Sequence, residues 1–279
     1  MSEDMKRNEI FATAKAHGLT SNIMKDDFGM EIPVDTVPIP SNGVTYNVDT
    51  GLAGMETIDI RAMTAREEDI LTSRALIKKG TVINELIKSC VVDKNINVEK
   101  MLVGDRNAVM IAVRITGYGA EYKAEVACPA CGEKDHYEFD LTSLPIKRLS
   151  SLPVSPGENC FEVTLPMSKK KVLYKLFTGE DEREQNIIAE RKKKLKLSSD
   201  SLITDKLAAS ILSVGGIQDK NKINHFVRNM PARDSLFLRN AISENEPGVE
   251  MKSWMECNHC QEHSEVSLPL GASFFWPDS

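Results

Sequence analysis

Two cysteine pairs of the form Cys-x-x-Cys constrain this fold more than any other feature of the sequence. The first pair is Cys128 and Cys131, and the second is Cys257 and Cys260. Each pair lies between two strand-like segments, which is how zinc ribbons present their ligands, with two hairpin turns supplying four thiolates to one tetrahedral Zn²⁺. The sequence therefore predicts a zinc-ribbon-like site in which all four cysteines share one structural zinc ion.

Other interpretations of the cysteines stay open. Each turn could hold its own metal ion, with His136 completing the first site and His259 or His263 the second. Redox-active pairs normally begin a helix, whose N-terminal end lowers the thiol pKa, but here a strand pattern follows both pairs. Thiols without any metal are a further possibility. Cys90 and Cys160 have no such partner, and we expect them to be buried as small apolar residues.

The order of predicted elements before the first cysteine pair returns before the second. A strand pattern, a threonine and an acidic helix start occur in both halves, at an offset of about 114 residues. Nearer the cysteines, Asp105 precedes Cys128 by 23 residues, and Asp234 precedes Cys257 by the same 23 residues. Ordered matches of this kind indicate an internal duplication. A pseudo-twofold axis between two repeats would bring their cysteine turns together.

These patterns predict an α+β fold built from an internally duplicated module of strand, helices and cysteine hairpin. The predicted parts are an N-terminal helix (4–17) and proline-rich extended arm within 1–54, a first repeat (55–142), a connector (143–169), a second repeat with a helical insert (170–270) and an aromatic tail (271–279). Three prolines in 31–43 favour the extended arm, because each fixes φ and removes a hydrogen-bond donor. The alternative is that the two halves are both mixed helix and strand without being repeats.

Two helix starts can be read from local patterns. Thr64 and Glu67 form a capping-box pattern, in which the hydroxyl satisfies one free N–H group and the carboxylate reaches back to another. The segment GDRNAVMIAVRI (104–115) predicts a buried helix that opens at Asp105.

Composition and motifs exclude several functional classes. The 279 residues carry a formal charge of −6, and an acidic chain lacks the field on which nonspecific nucleic-acid binding depends. No apolar run of about 18 residues is present to span a membrane, and the N-terminus lacks the apolar core of a signal peptide. None of the common nucleotide-binding, hydrolase or metalloprotease motifs occurs. We therefore expect a protein made in the cytosol that is not an enzyme and has no small-molecule substrate.

The alternative function is a zinc-ribbon adaptor that binds nucleic acid. Such an adaptor would need a basic, aromatic surface around its cysteine turns. The segment 121–138 instead has five acidic residues against two lysines. Basic runs at 169–171 and 191–196 are typical of a solvated turn and of a helix C-terminus, where positive charge is favourable. A third interpretation, a thiol oxidoreductase, predicts a low thiol pKa and no bound zinc.

The end of the chain, GASFFWPDS, is unusually aromatic. Phe274, Phe275 and Trp276 present too much apolar area to be left in water. They either fold back on the second repeat or anchor a partner protein, and Trp and Phe are common interface anchors. We name these three residues as candidate partner-binding residues.

Four segments in the first half, taken in order, resemble the baseplate hub assembly family of T-even-type phages. They are IPSNGVTYN (39–47), IDIRAMTAREEDIL (58–71), GDRNAVMIAVRITGYGAEY (104–122) and V-x-CPACG (126–132). The second half is similar to the family more loosely, through TGEDE (178–182), the later Cys-x-x-Cys pair and the terminal FFWP. This chain differs from the shortest family members in its long second half.

The resemblance implies a non-enzymatic protein of a contractile-tailed phage that acts at the central hub of the tail baseplate. It would be either a hub component or a chaperone of hub assembly, with other baseplate and hub proteins as partners. Its location would be the virion tail baseplate, and the host cytoplasm during assembly. The family has no catalytic residues to carry over, and only the four cysteines are transferred, as metal ligands.

Overall fold

Short strands and helices alternate along the part of the chain that the structure describes. The structure is a computed structural model that describes residues 22–25, 29, 31–194, 202–270 and 272–275. The mixture of helices and small antiparallel sheets confirms the predicted α+β class. The N-terminal helix predicted at 4–17 lies outside the described residues.

The first half begins with a three-stranded antiparallel sheet. Its strands are β1 (Asn22–Lys25), β2 (Glu31–Pro38) and β3 (Thr57–Arg61), with β2 in the centre. The helices that follow are α1 (Ala65–Thr72), α2 (Arg74–Lys79), α3 (Val82–Cys90) and α4 (Val103–Tyr118). A hairpin of β4 (Glu121–Ala127) and β5 (Lys134–Asp140) then carries the first cysteine pair in its turn.

The second half also begins with a three-stranded antiparallel sheet. After the short strand β6 (Ile146–Lys147), its strands are β7 (Phe161–Thr164), β8 (Lys171–Tyr174) and β9 (Ile211–Val214), with β8 in the centre. The helices are α5 (Gly179–Lys194), α6 (Leu202–Ser210), α7 (Lys220–Asn229) and α8 (Ala232–Asn245). The short strand β10 (Gly248–Val249) pairs with β6, and a hairpin of β11 (Lys252–Glu256) and β12 (His263–Ser267) carries the second cysteine pair.

Helix α4 lies at the centre of the core, as the segment 104–115 predicted. Ten of its residues are buried, and it packs against α3, β2, β3 and β10. The approach of the second half to this helix depends on Gly104, because a Cβ atom there would lie 1.6 Å from the carbonyl oxygen of Pro247. Only glycine permits contact this close.

The proline-rich segment is extended, as predicted, but it is the central strand of a sheet rather than a free arm. Val34 and Val37 in β2 are buried, and the strand pairs on one side with β1 and on the other with β3. Pro33 has no N–H to donate, but its carbonyl accepts from the Ala62 N–H at 2.9 Å. A central strand therefore tolerates this proline, and its two valines give the segment a buried face.

The segment that follows β2 is tied to α4 by a buried carboxylate. Asp105 accepts hydrogen bonds from the Ser41 N–H (2.9 Å), the Ser41 hydroxyl (2.5 Å) and the Tyr46 hydroxyl (2.5 Å). Burial raises the pKa of the Asp105 carboxyl, against the opposing effect of these hydrogen bonds. The predicted helix-opening residue thus also fixes the loop after β2.

A second carboxylate fixes the start of α1. Glu67 accepts from the Thr64 N–H (2.9 Å), as the capping box predicts, and from the Thr64 hydroxyl (2.7 Å). It also pairs with Arg61 at 2.6 Å and accepts from the Ser89 hydroxyl at 2.5 Å. Burial alone would raise the pKa of the Glu67 carboxyl, but these hydrogen bonds outweigh it and lower the pKa to about 2.

We expect Glu67→Gln to lower the free energy of unfolding at pH 7 by about 2–3 kcal/mol, because it removes a buried, hydrogen-bonded charge. The folded-state pKa lies below the unfolded value of about 4.3, so the contribution of Glu67 is complete above that value. It is lost as the pH falls toward 2. Urea unfolding at several pH values should therefore give a difference between variant and parent that shrinks below pH 4.5.

The matched control is Asp69→Asn, since Asp69 is an exposed acid in the same helix. This variant should differ little from the parent at any pH. A Glu67→Gln effect that stays constant down to pH 2 would contradict the assigned network.

Candidate metal centre

Two hairpins bring the cysteine turns together from distant parts of the sequence. In the first, Ala127 pairs with Lys134 at the last position before the turn, and in the second Glu256 pairs with His263. Alternation along the strands buries one face of each hairpin. The buried residues of these strands are Tyr122, Ala124, Val126, Phe139, Met255, Ser264 and Val266. The sequence prediction of strand, cysteine turn and strand is confirmed in both halves.

The two turns have the same backbone geometry. The Gly132 N–H donates to the carbonyl of Cys128 at 2.9 Å, and the Gln261 N–H donates to the carbonyl of Cys257 at the same distance. Gly132 has a φ of 78° and Gln261 a φ of 60°, both in the left-handed region. Glycine adopts this conformation without strain, whereas a side chain is disfavoured there. Gln261 therefore occupies a position that suits glycine better.

The four cysteine sulfurs form one compact group. All four lie within 4.8 Å of one another, with Cys128 Sγ 3.8 Å from Cys260 Sγ and Cys131 Sγ 3.7 Å from Cys257 Sγ. A tetrahedron of thiolates at the usual Zn–S distance of about 2.3 Å has S···S edges of about 3.8 Å. The donor set thus fits a tetrahedral metal ion, and these four cysteines could hold one.

Backbone N–H groups stabilise the thiolate form of one of these cysteines. The N–H groups of Cys260 and His259 point at the Cys257 sulfur and lower the pKa of this thiol to about 6. For Cys260, the Glu262 N–H would lower the pKa, but burial and the neighbouring sulfurs raise it to about 12. The Cys257 sulfur is therefore a suitable first ligand for a cation, since the thiolate is the form that binds a metal ion.

Hydrogen bonds between the hairpins support the sulfur cluster. The Asn258 N–H donates to the Tyr137 hydroxyl at 3.0 Å, and the Asn258 side-chain amide donates to the Asp135 carboxylate at 2.8 Å. These contacts could not be predicted from the sequence, because nothing in the local patterns shows which residues of one turn face the other. They fix the relative orientation of the two turns.

The histidines considered as ligands of separate sites lie outside the sulfur cluster. His259 faces Asp135 at 3.8 Å, and His263 faces Glu256 at 3.7 Å. Across the described residues, the only metal-binding group of three or more such side chains is the set of four cysteines, without His136. Cys90 is buried, as expected, and burial raises its thiol pKa to about 12, whereas Cys160 is only half-buried.

A protein-family model described as T4 bacteriophage base plate protein matches residues 43–276, which is most of the chain. The chain belongs to this family. The resemblance found in the sequence is thereby confirmed at the level of a phage baseplate protein. No curated protein and no solved structure matches the chain. Within the described residues of this baseplate protein, no helix has the length and apolar character needed to cross a membrane.

The aromatic tail of the baseplate protein folds back in its described part, the 3₁₀ helix Ala272–Phe275. Phe274 and Phe275 are buried, and Phe274 packs edge-on against Tyr122 at a centroid distance of 5.3 Å. Arg114 donates to the carbonyl of Phe274 at 2.8 Å. The ring of Phe274 thus packs on the first half, whereas packing on the second repeat was considered from the sequence. Trp276 lies outside the described residues, and partner binding by residues 274–276 stays a prediction.

The backbone geometry of the turns predicts opposite effects of two substitutions. Gln261→Gly should raise the free energy of unfolding by up to about 1 kcal/mol, because glycine adopts the left-handed backbone conformation without strain. Gly132→Ala should lower the free energy of unfolding by about 1 kcal/mol, because it places a side chain in that conformation. Denaturant unfolding of both variants under identical metal conditions measures this. A loss of stability in Gln261→Gly would contradict the equivalence of the two turns.

Proposed function

We propose that this baseplate protein acts at the central hub of a contractile tail, as a hub component or as a chaperone of hub assembly. The match of residues 43–276 to the baseplate family is the observation that carries this proposal. The more specific assignment to the hub is supported by the resemblance of four ordered segments in the first half to the hub assembly family. Its partners in this role are other baseplate and hub proteins. It would bind them in the virion tail baseplate and, during assembly, in the host cytoplasm.

We propose further that the four cysteines bind one structural Zn²⁺ that joins the two halves. The S···S distances of 3.7 and 3.8 Å support a tetrahedral thiolate site. Zinc would supply a redox-inert crosslink between turns that are more than a hundred residues apart in sequence. Four protein ligands leave no coordination position for a substrate, which supports a non-enzymatic role.

The internal duplication is also a proposal, and matched carboxylate contacts support it. At the start of α1, Glu67 accepts from the N–H and hydroxyl of Thr64 at 2.9 and 2.7 Å. At the start of α5, Asp181 accepts from the N–H and hydroxyl of Thr178 at 3.1 and 3.0 Å. The two helices thus begin with the same arrangement, at the threonines that the sequence alignment pairs.

The later pair of aligned aspartates supports the duplication in the same way. Asp105 in α4 accepts from the backbone of the loop after β2, and Asp234 in α8 accepts from the Met167 and Ser168 N–H groups in the loop after β7. If the two contacts are equivalent, the proposed second repeat begins at β7, inside the segment 143–169 that was expected to be a connector. The proposed first repeat would then begin at β2 and not at residue 55.

We expect the purified protein to contain one Zn²⁺ per chain, measured by inductively coupled plasma mass spectrometry. Cys131→Ala should lower this content and the Tm. At free zinc 1,000 times above Kd, binding stabilises the folded state by about 4 kcal/mol, which corresponds to roughly 10 °C in Tm. A chelator should lower the Tm of the parent by a similar amount.

The control for this experiment is Cys160→Ala, which changes a half-buried cysteine outside the sulfur cluster. Its zinc content should equal that of the parent. Two zinc ions per chain would favour separate sites that recruit histidines. A metal-free protein with a high Tm would contradict the structural-zinc proposal.

The baseplate role is tested by mass spectrometry of purified phage particles beside the infected-cell lysate. We expect the chain to co-purify with hub proteins. A fixed ratio to hub proteins in particles identifies a component, and abundance in assembly intermediates with absence from particles identifies a chaperone. Co-purification with nucleic acid and no tail protein would overturn the proposal in favour of the adaptor.

A further inference from the structure

The outer face of the β11–β12 hairpin carries an exposed tryptophan. Met255 and Val266 point inward and are buried, so the alternate residues point outward. Trp254 lies in the middle of this outer face and is 69% exposed. The described elements make no aromatic or cation–π contact with its ring.

The aligned position in the first hairpin shows that the fold does not need a tryptophan there. With Cys128 aligned to Cys257, Trp254 corresponds to Glu125, which is also exposed on an outward face. Glu125 lies opposite His136 and interacts with Lys134 across the hairpin at 3.7 Å. The same backbone position therefore accepts a charged, solvated side chain. Trp254 is not explained by packing within its hairpin.

The surroundings of Trp254 are acidic. Glu265 lies directly opposite Trp254 in the register, and Glu256 is two residues along the same strand. Both carboxylates are about half exposed or more, although Lys252 pairs with Glu265 at 3.3 Å and His263 faces Glu256 at 3.7 Å. An aromatic ring between carboxylates is a suitable surface for arginine, whose guanidinium stacks on the ring and donates to the acids.

The charge of the whole hairpin module selects the same kind of partner. Residues 121–140 and 250–268 contain ten carboxylates against three lysines, a formal charge of −7, whereas the complete chain carries −6. The two hairpins thus carry more negative charge than the net charge of the whole chain, and the remaining residues together are slightly positive. A tetrahedral zinc thiolate site would add two further negative charges to them. Such a field attracts a positively charged surface and repels nucleic acid and a second acidic hairpin module.

We infer that the outer face of β11–β12, centred on Trp254 with Glu256 and Glu265, is a docking surface for an arginine- or lysine-rich segment of another baseplate protein. The inference rests on the proposed baseplate function and adds a location and a chemistry to it. Tryptophan and arginine are both enriched at the energetic centres of interfaces. Trp254 is the aromatic anchor, and the carboxylates confer selectivity for a basic partner.

Photo-crosslinking in infected cells tests this surface. Benzoylphenylalanine is incorporated at position 254 or, as the control, at position 77, an exposed residue of α2 outside both hairpins, and crosslinked peptides are identified in purified baseplates and assembly intermediates. We expect crosslinks from position 254 to one lysine- or arginine-rich segment of a baseplate protein. Position 77 should give few or none to that segment.

Affinity measurements then separate the contributions of the ring and the charges. With the crosslinked baseplate protein purified, Trp254→Ala should weaken binding roughly 30-fold or more. The double substitution Glu256→Lys with Glu265→Lys should also weaken it and reduce its dependence on salt. Asp69→Asn, which changes an exposed acid outside both hairpins, serves as the control and should bind like the parent. Unchanged Tm values would show that the variants fold, since Trp254 is exposed.

Crosslinks from position 254 only to acidic or neutral segments, to nucleic acid or to a second copy of this chain would overturn the inference. So would a chain that is present in baseplates or assembly intermediates but gives no crosslink from position 254. Absence of the chain from every baseplate fraction is a different result, because it contradicts the proposed function itself.

Discussion

The convergence of two cysteine turns that are far apart in sequence is the constraint on which the arrangement of the two halves depends. The contacting sulfurs are separated by 132 and 126 residues along the chain. Closing so long a loop has an entropic cost, which grows slowly with loop length. Contacts made elsewhere between the halves offset this cost: Arg114 binds the carbonyl of Phe274, and Tyr122 donates to the carbonyl of Pro269 at 2.6 Å. The proposed zinc ion would add a coordinate bond at each of four points.

Helix α4 connects this constraint to the rest of the core. Its N-terminal end receives the close approach of Pro247 at Gly104, and Arg106 near the same end pairs with Glu182 of α5. At its C-terminal end Arg114 binds three carbonyl groups, those of Phe274, Gly119 and Glu121, at 2.7–3.0 Å. The three hydrogen bonds of Arg114 satisfy a buried guanidinium group that would otherwise be costly. Both ends of one buried helix therefore hold segments of the second half.

The sequence predicted the parts of this structure that follow from local patterns. The capping residue Thr64, the buried helix after Asp105 and both cysteine hairpins have short-range signals in spacing and polarity. The strand pairing of the proline-rich segment had no such signal, because which strands become central depends on distant partners such as β3. The carboxylate contacts of Asp105 and the hairpin contacts of Asn258 are likewise long-range. The sequence predicted that the four cysteines would meet, but not what else holds the two turns in place.

Within the proposed duplication, the two halves have diverged in what they expose. Helix α4 is buried around most of its surface, whereas the aligned helix α8 buries only Asp234, Leu238 and Asn245 and leaves Leu236 and Phe237 exposed. The hairpins differ in the same direction, with Trp254 on the outer face of the second where the first has Glu125. Exposed aromatic and aliphatic side chains add nothing to the stability of an isolated chain, but they supply apolar area to an interface. The first half thus supplies most of the core, and the second half leaves more apolar side chains exposed, which is consistent with the docking surface proposed on β11–β12.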